Sequence, residues 1–425
     1  MNPLLRFEHM LSNYRSLFKS NNFDHFQTFI RGLINTPHRG TMTQVHLSTE
    51  QSGTYWSLPK FLSRSKWSID KLTSFLTRQV QNTFSEGVYV YDETDSPTHG
   101  KKQCGTHFYK NTRYNTRNKN QPKFKHGHQF GAIGWLCPTP QGVRLFPLAA
   151  RVMCPNKKRD NSFAVLKRLC VMMPRGLIVF DRGFNRRGVF TELLSQKHHI
   201  LCRTRSNAVF FYIPKQPKKQ KRGRPRRYGN RVHIPYLTYE DMVVDSETLS
   251  VANKIVRTKM CPVDVRLVVK RTRKKKSKKY HYFCLFTSDL DCPVDELIRH
   301  YRNRWQIETA FRDAKQNFGF DTYQLRNRKG LNRFAQLSFV ATCLTQLAFT
   351  ETTTQAKQDT HVNDMPVDLE NVLQTLNMHW YKAKYITRGL MTAYFRHRSQ
   401  QKYFSASFKR NQNFKNNREI GEHPT

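Results

Sequence analysis

Apolar side chains recur at spacings of three and four through LLRFEHMLSNYRSLF (4–18), FDHFQTFIRGLI (23–34) and SIDKLTSFLTRQV (68–80), the period of helices that bury one face. Residues 1–83 therefore read as a helical region, with TPHRGTMTQVHLSTEQSGTYW (36–56) as a turn-rich connector. From Gly87 the period changes. VYVYDETDS (88–96) is an alternating β-branched and aromatic run that stops at Asp92 and then becomes polar, which predicts a buried strand delivering a carboxylate at its end. HGHQFGAIGWLCP and GVRLFPLAARVM, around TPQG, predict a hairpin; FAVLKRLCVMM (163–173) has a helical period that Pro174 and Gly176 end. GLIVFDRGF (176–184) repeats the first device, a short apolar strand leading to Asp181, before a helix VFTELLSQK and a strand HILCRTRS.

Between Asp181 and Glu308 lie 126 residues, more than one helix and one strand need. Within them VHIPYLTYEDMVV, KIVRTKM, DVRLVVKRTR and KYHYFCLFTS alternate as strands, so residues 205–290 read as an inserted β-rich segment. Pro293 suits the first turn of the helix carrying Glu308, with Asp291 near its cap. A strongly apolar helix is predicted over 329–350, and the basic tail from about 396 lacks periodicity and reads as disordered or ordering only on DNA.

Charge narrows the partners. The 425 residues carry 73 Lys and Arg against 30 Asp and Glu, a formal charge of +43. Such a field attracts polyanions, DNA or RNA first. The nine cysteines are scattered with no C-x2-C pair, so neither a disulfide framework nor a zinc ribbon is indicated. The amino-terminal apolar run is too short for a signal peptide and no apolar stretch is long enough to span a membrane, so a soluble cytoplasmic protein is expected. Residues 101–125 hold eight Lys or Arg interleaved with His107, Phe108, Tyr109, Tyr114 and Phe124, a mix suited to phosphates and stacked bases or to a solvated loop. Arg222-Gly-Arg224-Pro has the form of a minor-groove insert or of a generic basic loop. Lys274, Lys275 and Lys276 sit at the tip expected of a basic hairpin. His126 and His128, two apart on one strand face, lack a nearby third ligand and read as structural or phosphate-contacting.

The most specific stretch is YRNRWQIETAFRDAK (301–315). On one helix Tyr301, Arg304, Glu308 and Lys315 share a stripe, beside an apolar row of Ile307, Phe311, Ala314 and Phe318. The plain alternative is a solvated helix whose Glu308 pairs with Arg304 and Arg312. Trp305, at the edge of the same face, reads as core or as a platform for an unpaired base. Residue by residue the stretch resembles the insertion-sequence DDE transposases of the Insertion Sequence Four family, whose signature is Tyr, two residues, Arg, three residues, Glu, six residues, Lys. The resemblance continues into YQLR, ending at Arg326, and into LSFVATCLTQLAF (337–349).

What the resemblance implies is an α/β protein with a ribonuclease H-like catalytic domain, a mixed sheet with flanking helices, interrupted by a β-rich insertion and bounded by helical N-terminal and C-terminal regions. The expected division is 1–83 for DNA binding, 84–204 and 291–350 for the two parts of the core, 205–290 for the insertion, and 351–425 for a helical region and basic tail. The N-terminal module could grip a DNA end or serve as a cap. Glu308 becomes the third metal-binding carboxylate, with two aspartates upstream. Asp92 or Asp95 could be the first, Asp92 being preferred because it follows the apolar run directly and D-x-T after a strand resembles the family's pattern; Asp181 is the second. Three carboxylates suit two Mg²⁺ ions about 3.5–4 Å apart, with Mn²⁺ able to substitute. Tyr301, Arg304, Lys315 and Arg326 would then contact DNA, alongside Arg222, Arg224 and Lys274–Lys276. The expected substrate is double-stranded DNA, terminal inverted repeats and target, in a prokaryotic nucleoid, and pairing of two element ends suggests a homodimer on DNA. The alternatives are an inactive transposase-derived DNA-binding protein and a metal-dependent nuclease without strand transfer.

Overall fold

A computed structural model describes residues 2–36, 40–49, 54–100, 102–111, 114, 122–155, 160–214, 225–273, 279–358 and 368–403. Helices α1 (Pro3–Ser12), α2 (Ser20–Asn35), α3 (Met42–Leu47), α4 (Ser57–Ser63) and α5 (Ile69–Thr83) come first. Strands β1 (Val88–Pro97), β2 (His107–Lys110), β3 (Phe124–Cys137) and β4 (Arg144–Val152) follow, then α6 (Ser162–Met172), β5 (Leu177–Phe180), α7 (Arg187–Ser195) and β6 (His199–Thr204). After them come β7 (Glu240–Val244), β8 (Glu247–Val256), β9 (Val265–Arg273) and β10 (Tyr280–Thr287). The chain ends in α8 (Val294–Asn303), α9 (Gln306–Asn317), α10 (Arg328–Gln358), α11 (Leu369–Thr375) and α12 (Arg388–Tyr403). Two compact units result: Met1–Glu86 with Glu93–Val165 and Ile307–Thr425, and Gly87–Asp92 with Leu166–Gln306.

The first unit is built on α10. Leu331, Phe334, Ala335, Leu337, Val340 and Leu344 are all buried, so this helix is apolar around most of its circumference and must be enclosed. It is enclosed by α1, α2, α4, α5, α12 and β4. The amino-terminal helices start where capping chemistry dictates: Asn2 accepts from the Leu4 and Leu5 amides ahead of Pro3, and Ser68 accepts from Lys71 N. In the sheet of this unit β3 pairs antiparallel with β2 at one end (His107↔Gly127) and with β4 along the rest (Phe130↔Val152). The β3–β4 turn closes on Thr139 and Gly142, the latter at φ 99°, which favours glycine. Across β3 the second half of β1 runs so close that a Cβ at Gly127 would collide with the Ser96 carbonyl.

His128 is fully buried in this layer. Its Nε2 lies 3.1 Å from the Cys104 carbonyl, which can only accept, so Nε2 carries the proton and Nδ1 accepts from the Tyr323 hydroxyl at 2.9 Å. Burial pushes its pKa down to about 4, the Cys104 bond partly opposing. The folded state thus binds fewer protons than the unfolded chain. The stability this contributes is complete above the ordinary histidine pKa of ~6.5, and up to about 3 kcal/mol is lost as pH falls from there through 4. Denaturant titrations across pH 7 to 4 should show this slope, and His128→Gln should flatten it; an unchanged slope would remove His128 as its source.

In the second unit the strand order is β1-β5-β6-β10-β9-β8-β7. The first half of β1 and β5 are parallel (Tyr89↔Ile178 to Tyr91↔Phe180), as are β5 and β6, whereas β6 to β7 is antiparallel throughout. The sheet is therefore mixed, and with its flanking helices it is consistent with a ribonuclease H-like nuclease domain. Packing of α7 on it runs through Phe190, stacked on Phe180 at 5.9 Å and edge-on to Phe286 at 5.5 Å.

Several expectations need correction. β1 does not end at Asp92 but runs to Pro97, because the segment after the parallel pairing continues beside β3; Thr98 N donates to His126 O at 3.1 Å. The connector at 36–56 contains α3, which Thr41 caps through Gln44 N. Residues 232–239 form no strand, so β7 is only Glu240–Val244, while the next strand expected from Lys254 starts at Glu247. The tail is helical as far as Tyr403, and Arg396 explains part of this by donating to the carbonyls of Ile34 (2.9 Å) and Asn317 (3.3 Å). The single helix over 301–315 is two: α8 ends at Asn303 with Arg304 N bonded to Tyr301 O, a tightened last turn, and α9 starts at Gln306. Arg222, Arg224, Lys274, Lys275 and Lys276 lie outside the described residues.

Candidate active site

Asp92 and Asp181 each directly follow the last paired residues of two neighbouring parallel strands, Tyr91 and Phe180. The carboxyl ends of parallel strands are where open α/β sheets place ligands, and here that rule sets two carboxylates side by side. Neither is left to water alone. Arg304 Nη1 donates to Asp92 Oδ2 at 2.6 Å, with side-chain exposures of 14% and 21%, and the Tyr301 hydroxyl donates to Asp181 Oδ1 at 3.1 Å.

Both donors come from α8 and the residue after it. Pro293 precedes the helix, Asp295 and Glu296 occupy its first turn, and His300 and Arg302 its last, each sign placed as the helix dipole favours. Val294, Leu297 and Ile298 are buried, so α8 is fixed by its apolar face. The Tyr301 ring packs edge-on against Phe283 of β10 at 5.6 Å. Burial and then Asp181 push the Tyr301 phenol well above its usual range, so it remains a hydrogen-bond donor. Burial opposes the charge on Arg304, but Asp92, Tyr301 and Asp181 together outweigh it and raise its pKa.

The remaining candidates belong to the first unit. Asp95 accepts at Oδ1 from Gln129 Nε2 at 2.9 Å, and its backbone carbonyl accepts from Lys315 Nζ. Glu308 is exposed on α9. That helix is anchored by buried Ile307, Ala310, Phe311 and Ala314, and by Gln346 of α10 donating to Asp313 at 2.6 Å. Arg326 is exposed, its carbonyl accepting from Cys104 N at 2.9 Å. Trp305 is 53% exposed, not core, because it lies in the turn between α8 and α9. His128 is structural, as described, and His126 Nδ1 lies 3.0 Å from the Thr98 carbonyl.

Beside Asp181 the second unit opens into a cavity of about 880 Å³ lined by Arg182, Arg186, Arg205 and Lys259 over a floor that includes Phe210 and Phe286. None of these four cations stood out in the sequence. For Arg182 and Arg186 the signal was the run Asp181-Arg-Gly-Phe-Asn-Arg-Arg, in which basic residues follow the aspartate into its turn; Arg205 and Lys259 carried none. A carboxylate pair with cations around it can hold hard divalent ions and admit a phosphodiester.

Among the described residues no helix is long and apolar enough to cross a membrane. A search of curated proteins finds no match. A family model described as DDE superfamily endonuclease matches residues 13–260, a span that includes Asp92 and Asp181 and ends before the Tyr301–Lys315 motif. That match covers more than half of the chain, which therefore belongs to the DDE superfamily endonucleases, metal-dependent nucleases that act on DNA.

Proposed function

We propose that this chain is a transposase of the Insertion Sequence Four type, cutting DNA at the ends of its own element and joining them to a target. The observation that carries the reading is the pair Asp92 and Asp181, which follow the last parallel-paired residues of β1 and β5 and are held by Arg304 and Tyr301 of a complete Tyr-x2-Arg-x3-Glu-x6-Lys signature. Glu308 enters as the third carboxylate on the strength of that signature. The donor set is all oxygen, the kind Mg²⁺ prefers, with Mn²⁺ as a substitute. Two such ions supply an activated oxygen nucleophile and charge relief at the leaving oxygen.

The protein's own groups do the rest. Asp92 and Asp181 present fixed negative charge at one point of the sheet, and Arg304 and Tyr301 neutralise and orient it until metal and DNA arrive. Arg304, Lys315 and Arg326 then serve phosphates, as does the basic rim beside Asp181. The ribonuclease H-like assignment with β7–β10 as the family's insertion, the N-terminal DNA grip, and dimerisation on two element ends belong to the same reading.

The test is a duplex carrying the inverted repeats that flank the coding region, incubated with protein, Mg²⁺ and target DNA. Cleaved ends and joined products are expected. Cleavage without joining would reduce the reading to an endonuclease, and intact DNA would leave a binding protein. Arg304→Gln provides a second check. Because Arg304 occupies Asp92, its loss should tighten Mn²⁺ binding in the absence of DNA by about tenfold, the equivalent of ~1.4 kcal/mol, while cleavage falls. Unchanged metal affinity, measured calorimetrically, would show that the pair does not compete with metal.

A further inference from the structure

We propose that Cys292, Glu296 and His300 bind a single transition-metal ion, Zn²⁺ by preference, at a site separate from the carboxylate pair. Their ligand atoms lie within 4.8 Å of one another, with Cys292 Sγ 4.0 Å from Glu296 Oε2. The spacing explains the convergence. Residues four apart share one face of a helix, and side chains lean towards its amino terminus, so His300 reaches back over Glu296 towards Cys292, two residues before the start of α8. Cys292 is held at that point by Asp289, whose Oδ1 accepts from the Asp291 and Cys292 amides at 3.1 Å each.

The donor types point to the metal. Thiolate, imidazole and carboxylate form a set that suits tetrahedral Zn²⁺, with bonds of about 2.0–2.3 Å, and suits Mg²⁺ poorly. Closing the three donors onto such an ion requires shifts of about 1 Å. Asp289 acts electrostatically on both Cys292 and His300, and Asp295 acts on Cys292, which adds negative charge around the ion; Arg266 and Arg299 oppose it. Binding forms a sulfur–metal bond and releases the thiol proton to solvent. Three protein ligands leave a fourth position for water or Asp289. The ion would brace α8, since His300 adjoins Tyr301, the donor to Asp181. This inference does not depend on the transposase reading.

Cobalt provides the test, because only a thiolate ligand gives a near-ultraviolet charge-transfer band. The full chain, reduced and stripped with chelator, should develop that band with one equivalent of Co²⁺ and lose it when Zn²⁺ is added. Cys292→Ser and His300→Asn should abolish it. Asp92→Asn/Asp181→Asn should retain it, which separates this site from the carboxylate pair. Glu296 is exposed, so Glu296→Gln tests the site without threatening the fold and should weaken Co²⁺ binding by about tenfold or more. Absence of the band in the unaltered chain, its survival in Cys292→Ser, or unchanged Co²⁺ affinity in Glu296→Gln would overturn the proposal.

Discussion

Asp92→Asn or Asp181→Asn should lower metal-dependent DNA cleavage at least about a thousandfold, close to 4 kcal/mol of transition-state stabilisation. Each change keeps the size of the side chain and removes the charge. The strand pairing beside them, Tyr91↔Phe180, involves only backbone and should persist, so circular dichroism and melting should change little. Retention on duplex DNA should also survive, because phosphate contacts by cations dominate affinity and no cation is lost. Glu308→Gln should behave in the same way. Asp95→Asn provides the contrast: Gln129 already engages that carboxylate, and cleavage should remain within a few-fold of normal. More than a tenth of normal activity in either first-named variant would defeat the assignment.

The largest effect on stability is expected at Arg333, in the first unit. Only 2% exposed, it has no carboxylate partner among the contacts described. Its guanidinium instead donates to the carbonyls of Phe61 (3.3 Å), Leu62 (3.1 Å), Ser65 (2.9 Å) and Trp67, and lies 3.9 Å over the Trp67 ring. Burial pushes its pKa down to about 10, which still leaves it charged at neutral pH. It ties down the loop between α4 and α5 by donating to several of its carbonyls at once, of which that of Phe61 also accepts from Trp67 Nε1 at 3.0 Å. Arg333→Met should cost roughly 3–5 kcal/mol, read as a lower denaturant midpoint, since the carbonyls and the ring lose their partner together. Arg333→Lys should recover only part of this, because an ammonium cannot span that many acceptors in a plane. A loss below about 1 kcal/mol for Arg333→Met would mean that water replaces the guanidinium.

What could be read from the chain was local. The strand-then-aspartate device at 92 and 181 needed only alternation and a polar break, and the structure pairs those strands in parallel. The extent of β1 was not legible, because its polar half is strand only by virtue of β3. Arg304 and Asp92 meet across 212 positions, a pairing that no periodicity encodes. The break between α8 and α9 was hidden for the opposite reason: apolar and polar residues keep helical phase through Arg304 and Trp305, so the pattern looks continuous. Arg396 extends α12 into an apparently featureless tail through bonds to distant carbonyls. Cys292, Glu296 and His300 went unnoticed because no pair of like ligands marks them.

The central place of α10 in the first unit also bears on how the protein is made. The α1–α5 segment leaves the ribosome with Phe7, Phe26, Phe29 and Phe61 facing a core whose main helix begins only at Arg328. At ~5–20 residues per second, tens of seconds of translation separate Thr83 from that helix. During this interval the nascent amino-terminal segment is expected to need holdase chaperones, and any message truncated before Arg328 should yield an aggregating, protease-sensitive product rather than a folded fragment.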